Sequence, residues 1–231
     1  MAILNVAKAM GLWLVITMMA SIYLMPPKNI TATSLSILFF NYLNLLISLC
    51  EQVLGRHITL IKADYLELKE RYKGKEFSAC IAFLTMPLNA SEVFDGRLWS
   101  KMWSTYSLYD PSYQNHESFG FFIDVGNGWT TIIPTSIVNC AIIFPRALST
   151  LSVEPSLLVG CSGLCTYWQM MYGALIYYLS YFFNKRYQGK SNIEIAGFVG
   201  FSNSLWVIFP MVGISACVQI LADKNFDVFS N

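Results

Sequence analysis

Five apolar stretches, at about residues 9–25, 34–54, 118–144, 156–183 and 195–221, constrain this chain more than any other feature. A helix rises about 1.5 Å per residue, so each stretch approaches or exceeds the roughly 30 Å of a hydrocarbon core. The first, AMGLWLVITMMASIYLM, ends at Pro26-Pro27. A cleaved signal peptide is its rival reading, but the apolar core is long for one and no small-x-small cleavage site follows cleanly. The third holds Gly120, Gly126, Gly128 and Pro134 and is expected to tilt or kink there. The expected fold is all-α: an integral membrane bundle of about five transmembrane helices, in a single membrane domain over 1–231.

Composition agrees. Hydrophobic residues make up 55% of the chain and charged residues only 13%, about half the usual charged share. The net charge of +1 leaves no basic footprint for nucleic acid. The six cysteines, Cys50, Cys80, Cys140, Cys161, Cys165 and Cys217, lie in or beside apolar stretches and read as small core hydrophobes. With only His57 and His116 beside them, no metal site is expected.

Residues 55–117 form a long polar loop between the second and third spans. Its first part alternates Ile58, Ile61, Tyr65, Leu68 and Tyr72 with Lys62, Asp64, Glu67, Lys69, Glu70, Arg71 and Lys73. Steps of three and four make this one amphipathic helix, lying on the membrane surface or packed on the polar end of the bundle. Residues 77–88, FSACIAFLTMPL, are apolar but short, and read as a re-entrant or interfacial segment. Loops 55–117 and 184–194 hold most of the Lys and Arg, so the positive-inside rule puts both on the cytosolic side. A glycosylation sequon at Asn89 would argue the reverse if used, and a second stands at Asn29 in the opposite loop.

Within the apolar runs the polar residues keep helical spacing. Asn41, Asn44, Ser48 and Glu51 make a stripe on the second span, and Gly120, Asp124, Asn127 and Thr131 one on the third. Gln169, Tyr172 and Gly173 cluster in the fourth; Asn203, Trp206 and Pro210 share a side of the fifth. Such residues often only bond neighbouring helices. Stripes on four spans point instead to a cavity, which Asn44, Ser48, Asn127, Gln169 and Tyr172 would line for a substrate. Asp124 is the leading functional candidate, because a carboxylate deep in hydrocarbon costs several kcal/mol by most estimates and persists where it is used. Glu51 is the second, with a pairing to Arg56 as its alternative.

Water-poor surroundings disfavour the charged form of a carboxyl. A protonated Asp or Glu then serves as a general acid at neutral pH, and an indole face stabilises a developing cation. An acid, a base and an aromatic wall in an apolar pocket suit protonation of an alkene or epoxide through a carbocation-like state. Neither histidine lies in a span to activate a serine, and no phosphate-cradling glycine loop occurs.

Residues 99–129, WSKMWSTYSLYDPSYQNHESFGFFIDVGNGW, resemble the segment leading into the third span of the emopamil-binding, sterol Δ8–Δ7 isomerase (EXPERA-type) family. Trp103, Tyr106, Asp110, Tyr113, Phe119 and Asp124 fall on its motif positions. Residues 201–210, FSNSLWVIFP, resemble its last span, and Met171-Tyr172-Gly173 a Tyr-Gly step in its fourth. The similarity covers roughly 99–221 well and 8–55 only as a matching pair of spans. It implies a five-helix endoplasmic-reticulum protein with a sterol-sized cavity and no cofactor. Asp124 stands where the family has an acid/base glutamate, Asn203 and Trp206 stand at pocket positions with the indole facing the cation, and Tyr106, Asp110 and Tyr113 join the substrate-binding set.

The departures shape the expectation. The family's second span carries a His and, one turn later, a Glu; the closest alignment puts Asn44 and Ser48 there. Sliding three residues recovers Glu51 but puts Ile47 in the histidine's place. The residue after the Tyr-Gly step, acidic in the family, is Ala174, and the loop between spans two and three is longer. The resulting expectation is an isomerase or cyclase with Asp124, Glu51, Trp206 and Asn203 as its catalytic set. It acts on a specialised sterol or terpenoid, in contact with membrane lipid, with a homodimer as an open assembly. The alternative is a protein that binds a sterol or lipophilic ligand without changing it. A transporter fits least, since five spans without a repeat make poor alternating-access machinery.

Overall fold

The computed structural model describes residues 4–116, 118–148, 150 and 152–230. The described residues are 81% helix, with no strand among them. Helix α1 (Val6–Leu24) stops just before Pro26-Pro27, as the residue before a proline is driven out of helical geometry. Thr31 caps α2 (Ala32–Arg56), its hydroxyl accepting the Ser34 N–H at 3.2 Å. After a single residue the chain enters α3 (Ile58–Arg71), then α4 (Glu76–Thr85) and α5 (Gly96–Tyr106).

The expected polar loop 55–117 is thus largely helical. The apolar face of α3 is covered by protein: Ile61 and Tyr65 are buried and Ile58, Leu68 and Tyr72 pack on the same core.

The third apolar stretch is two helices, α6 (Phe119–Thr130) and α7 (Ile132–Ile143), with the break at Thr131. Pro134 stands third in α7, in the first turn, where a missing N–H leaves no intrahelical bond unmade. A short α8 (Pro145–Leu148) follows. Glu154 then caps α9 (Pro155–Phe183), accepting the Leu157 N–H at 2.8 Å. The last apolar stretch begins as α10 (Asn192–Ile195), widens into a π-helical segment at Ala196–Phe201 and continues as α11 (Ser202–Asp223). In the wide segment the Gly200 carbonyl accepts the Tyr178 hydroxyl at 2.5 Å.

Among the described residues, three helical stretches are long and apolar enough to cross a membrane: Val6–Leu24, Ala32–Arg56 and Asn192–Asp223. Helix α9 has the length but carries Tyr, Trp and Gln side chains that lower its hydropathy, and α6 and α7 are each short.

The chain forms two compact units. The first comprises Met1–Leu12, Ile47–Trp129 and Leu175–Asn203. Its core joins Leu54, Ile61, Trp103, Tyr109, Tyr113 and Tyr181. Helix α5 is strongly one-sided, burying Leu98, Trp99 and Trp103, and Asp95 caps it through the Arg97 N–H at 2.9 Å. The second comprises Trp13–Leu46, Thr130–Ala174 and Ser204–Asn231. It is built around Phe40, whose ring stacks on Phe209 at 5.6 Å and meets Trp206 edge-on at 5.7 Å. The sequon residue Asn29 is buried there, donating to the Ile142 carbonyl at 2.8 Å, so that position is closed to glycosylation in the fold.

Candidate functional site

The carboxyl groups singled out in the sequence, Glu51 and Asp124, both belong to the first unit. The C-terminal part of α2 presents Ser48, Glu51, Gln52 and Gly55 to α6. A Cβ on Gly128 would lie 2.7 Å from Glu51 Cβ, 2.9 Å from the Ser48 carbonyl oxygen and 3.0 Å from the Gln52 nitrogen. Only glycine permits that approach, and it is locked by the Gln52 amide donating to the Gly128 carbonyl at 2.8 Å. On the same stretch of α2, Trp103 donates its indole N–H to the Cys50 carbonyl at 2.7 Å, and Arg56 lies 5.1 Å over the Trp129 ring. The Arg56 guanidinium therefore has an aromatic partner near the helix end.

Glu51 is 3% exposed, and its Oε2 has no hydrogen-bond partner among the described residues. A buried polar atom left this way costs about 1–3 kcal/mol, more for a charged group, and calls for an explanation. Asp124, half-buried on α6, is close enough for its charge to act on Glu51. It accepts a hydrogen bond from the Tyr113 hydroxyl. Gly120 makes room for that tyrosine: a Cβ there would meet Ser112 Oγ at 2.9 Å and the Tyr113 hydroxyl at 3.6 Å. The Ser112 hydroxyl is itself buried without a partner among the described residues.

An aromatic cage holds Tyr113. Its ring centroid lies 5.1 Å from Trp103, 5.2 Å from Tyr106 and 6.1 Å from Tyr177. The Tyr106 and Tyr177 hydroxyls are 3.2 Å apart, and Asn203 donates to the Tyr106 hydroxyl at 3.1 Å. Burial pushes the Tyr113 hydroxyl well above the usual phenol range, and the Asp124 charge acts the same way. Burial also raises Tyr106, against the hydrogen bonds from Tyr177 and Asn203. Both phenols therefore keep their protons at neutral pH and are available as donors.

Asp110 takes a different place. Its wholly buried side chain caps the turn Pro111–Gln114 by accepting the Ser112 N–H at 2.9 Å and pairs with Arg186 at 3.2 Å. It holds the turn that presents Tyr113 and spends its charge on Arg186. Asn127 is buried on α6, and Ser48 is buried on α2.

The remaining predicted residues belong to the second unit and are engaged there. Trp206 donates its indole N–H to Asn44 Oδ1 at 3.1 Å, and Asn44 donates to the Thr131 hydroxyl at 3.2 Å. Asn41 bonds Asn139 at 2.7 Å and accepts from Tyr167 at 2.9 Å. Gln169 donates to Thr130 Oγ1 at 2.7 Å. Tyr172 is half-exposed and stacks on Trp168 at 6.0 Å. For Asn41, Asn44 and Gln169 the polar stripe joins helices within that unit.

Sequence reasoning missed Tyr177 and Arg186. Tyr177 and Tyr181, one turn apart on α9, both reach the first-unit core, and that spacing was the available signal. Arg186 reads in sequence as an ordinary loop charge; only the fold brings it to Asp110.

No family model, curated protein or solved structure matches this chain. Among the described residues, no cluster of three or more His, Cys, Asp or Glu side chains has the arrangement to hold a metal ion.

Proposed function

We propose that this protein is a membrane-embedded isomerase, or cyclase, acting on a sterol or terpenoid by proton transfer. In this reading five stretches cross an endoplasmic-reticulum bilayer: α1, α2, the α6–α7 pair, α9 and the α10–α11 segment. The supporting observation is Glu51 Oε2, buried without a partner beside an Asp124 that Tyr113 holds in place.

Two neighbouring carboxyls suit the two halves of an alkene shift. One gives its proton to an alkene carbon, forming a C–H bond and leaving a cation on the adjacent carbon. The other takes a proton from a different C–H, and that electron pair becomes the new double bond. Atoms balance without a co-reactant, and the proton returns between the carboxyls to reset the pair. In the cyclase version a second alkene captures the cation before the proton is lost. Tyr113 orients Asp124, and the Trp103, Tyr106 and Tyr177 rings offer π-faces to the cation.

A second reading, ligand binding without turnover, draws on one observation. Asn44, at the place of the resembled family's histidine, is bonded to Thr131 and Trp206, so no proton shuttle stands at that position.

The test is expression in a sterol-producing host lacking its own Δ8–Δ7 isomerase, with lipid profiling by mass spectrometry. New sterol or terpenoid isomers that vanish with Asp124→Asn and Glu51→Gln support the enzyme. Tight sterol binding with an unchanged profile favours the binder. Undiminished product from a folded Asp124→Asn protein removes the catalytic assignment.

A further inference from the structure

On the surface of the first unit, α9 and the start of α6 enclose an open groove of about 990 Å³, almost wholly apolar, walled by Phe119, Leu175, Leu179, Phe182 and Phe183. Of the hydroxyls on its wall, Tyr178 donates to the Gly200 carbonyl and Ser180 is bonded to a cation: Arg186 Nη2 donates to Ser180 Oγ at 3.1 Å while Nη1 pairs with Asp110. A guanidinium has five N–H donors, and these bonds use two.

The groove ends where α9 ends. Asn184 closes the helix, the Lys185 N–H bonds the Phe182 carbonyl at 3.0 Å and the Arg186 N–H bonds the Tyr181 carbonyl at 3.2 Å. This pair of bonds is a Schellman cap, whose left-handed position usually carries glycine. Here it carries Lys185, at φ 52°. A lysine there is less comfortable than a glycine, and its side chain is exposed. Among the described residues the neighbouring acids are otherwise engaged: Asp110 with Arg186, Glu76 with Lys190, and Glu194 with the Tyr109 hydroxyl. No ion pair among them involves Lys185.

We infer that this groove is a binding site for one anionic phospholipid, its acyl chain along α9 and its net-negative headgroup against Lys185 and the outer edge of Arg186. An apolar trough along a helix whose C-terminal cap carries the exposed Lys185 ammonium has the complementarity of that amphiphile. The positive-inside pattern puts loop 184–194 at the cytosolic leaflet, where anionic lipids concentrate. The inference rests on α9 crossing the bilayer and is independent of the catalytic reading.

The test is native mass spectrometry of the full chain in detergent, titrated with phosphatidylserine or phosphatidylcholine of the same acyl chains. A cation near the headgroup gives about fivefold preference, so phosphatidylserine should be retained about fivefold better. Lys185→Gly should abolish that preference while raising the melting temperature, because glycine relieves the left-handed position; a purely structural lysine would not separate the two. Leu179→Trp, filling the trough, should lower retention of both lipids. Equal retention of the two lipids by the parent protein, or an intact preference in Lys185→Gly, overturns the headgroup site and leaves the α9 span standing. Unchanged lipid retention in Leu179→Trp overturns the groove itself. Competition by glycerophosphoserine, which has no acyl chains, as strong as by the whole lipid would make this an anion site and overturn the lipid assignment.

Discussion

Gly128→Ala is the sharpest perturbation of the candidate site. The added methyl would stand 2.7 Å from Glu51 Cβ, 2.9 Å from the Ser48 carbonyl and 3.0 Å from the Gln52 nitrogen. Two of those are backbone atoms of α2 and the third is fixed to it, so no side chain can swing aside. Restoring an ordinary carbon–carbon separation of about 3.5 Å needs a local shift of about 0.8 Å. Overpacking of this kind costs about 1–3 kcal/mol, and the same shift strains the Gln52-to-Gly128 bond. For a chain of this size that is a fall in melting temperature of about 2–12 °C. Gly126, two residues earlier, is the internal control: a Cβ there meets nothing within 4 Å. Gly126→Ala should leave the melt unchanged or raise it, since alanine favours helix by up to about 1 kcal/mol. Thermal melts of the two variants in one detergent decide the matter. If Gly128→Ala melts no lower than Gly126→Ala, α2 and α6 are not in the close contact described at Gly128.

Two further outcomes are expected. Arg186→Met leaves the wholly buried Asp110 without its ion-pair partner and should cost about 3–5 kcal/mol. The double variant with Asp110→Asn should recover part of it, and a double variant no better than the single would contradict the pairing. Burial works against the Glu76 carboxylate, but hydrogen bonds from Lys190 and the backbone, with the Lys190 charge, hold its carboxyl below the usual range. Its contribution to stability is therefore present above the unfolded value of about 4.3 and lost as pH falls through the lowered folded value. Melting temperature against pH should show a shallower acid limb in Glu76→Gln, and parallel curves would refute that linkage.

The apolar runs were legible because helical hydrophobicity is a local property. Val6–Leu24, Ala32–Arg56 and Pro155–Phe183 lie within a few residues of the stretches read from sequence. Helix α5 was not read, although Leu98, Trp99, Met102, Trp103 and Tyr106 carry a helical spacing that marks it. The helix is only about three turns long, with Ser100, Lys101 and Ser104 between its apolar positions in the sequence, so the segment does not stand out among turn residues. The break at Thr131 also escaped a reading that looked to the glycines and Pro134, because proline is tolerated once a helix has just begun.

At the site, the spacing of Glu51 and Asp124 within their own helices showed that each could face inward. That their two helices approach closely depends on Gly128, whose significance is a contact between elements far apart in sequence. The Tyr106–Tyr177 contact spans 71 residues and has no local signature. Asn203 and Trp206 look like one constellation in sequence, yet Asn203 bonds Tyr106 while Trp206 bonds Asn44. Side chains three residues apart on one helix share a face without having to share a partner.

Proton transfer through Glu51 and Asp124 is tested most directly by solvent deuterium. Membranes bearing the protein are incubated in D2O with sterol and terpenoid alkenes, and the recovered lipids are weighed by mass spectrometry. If the carboxyl pair works as proposed, an isomerised alkene gains about one mass unit by placing solvent deuterium on the newly formed C–H, and Asp124→Asn abolishes the gain in a protein that still folds. No uptake above that of membranes without the protein, across the alkenes supplied, or equal uptake in Asp124→Asn, would contradict it.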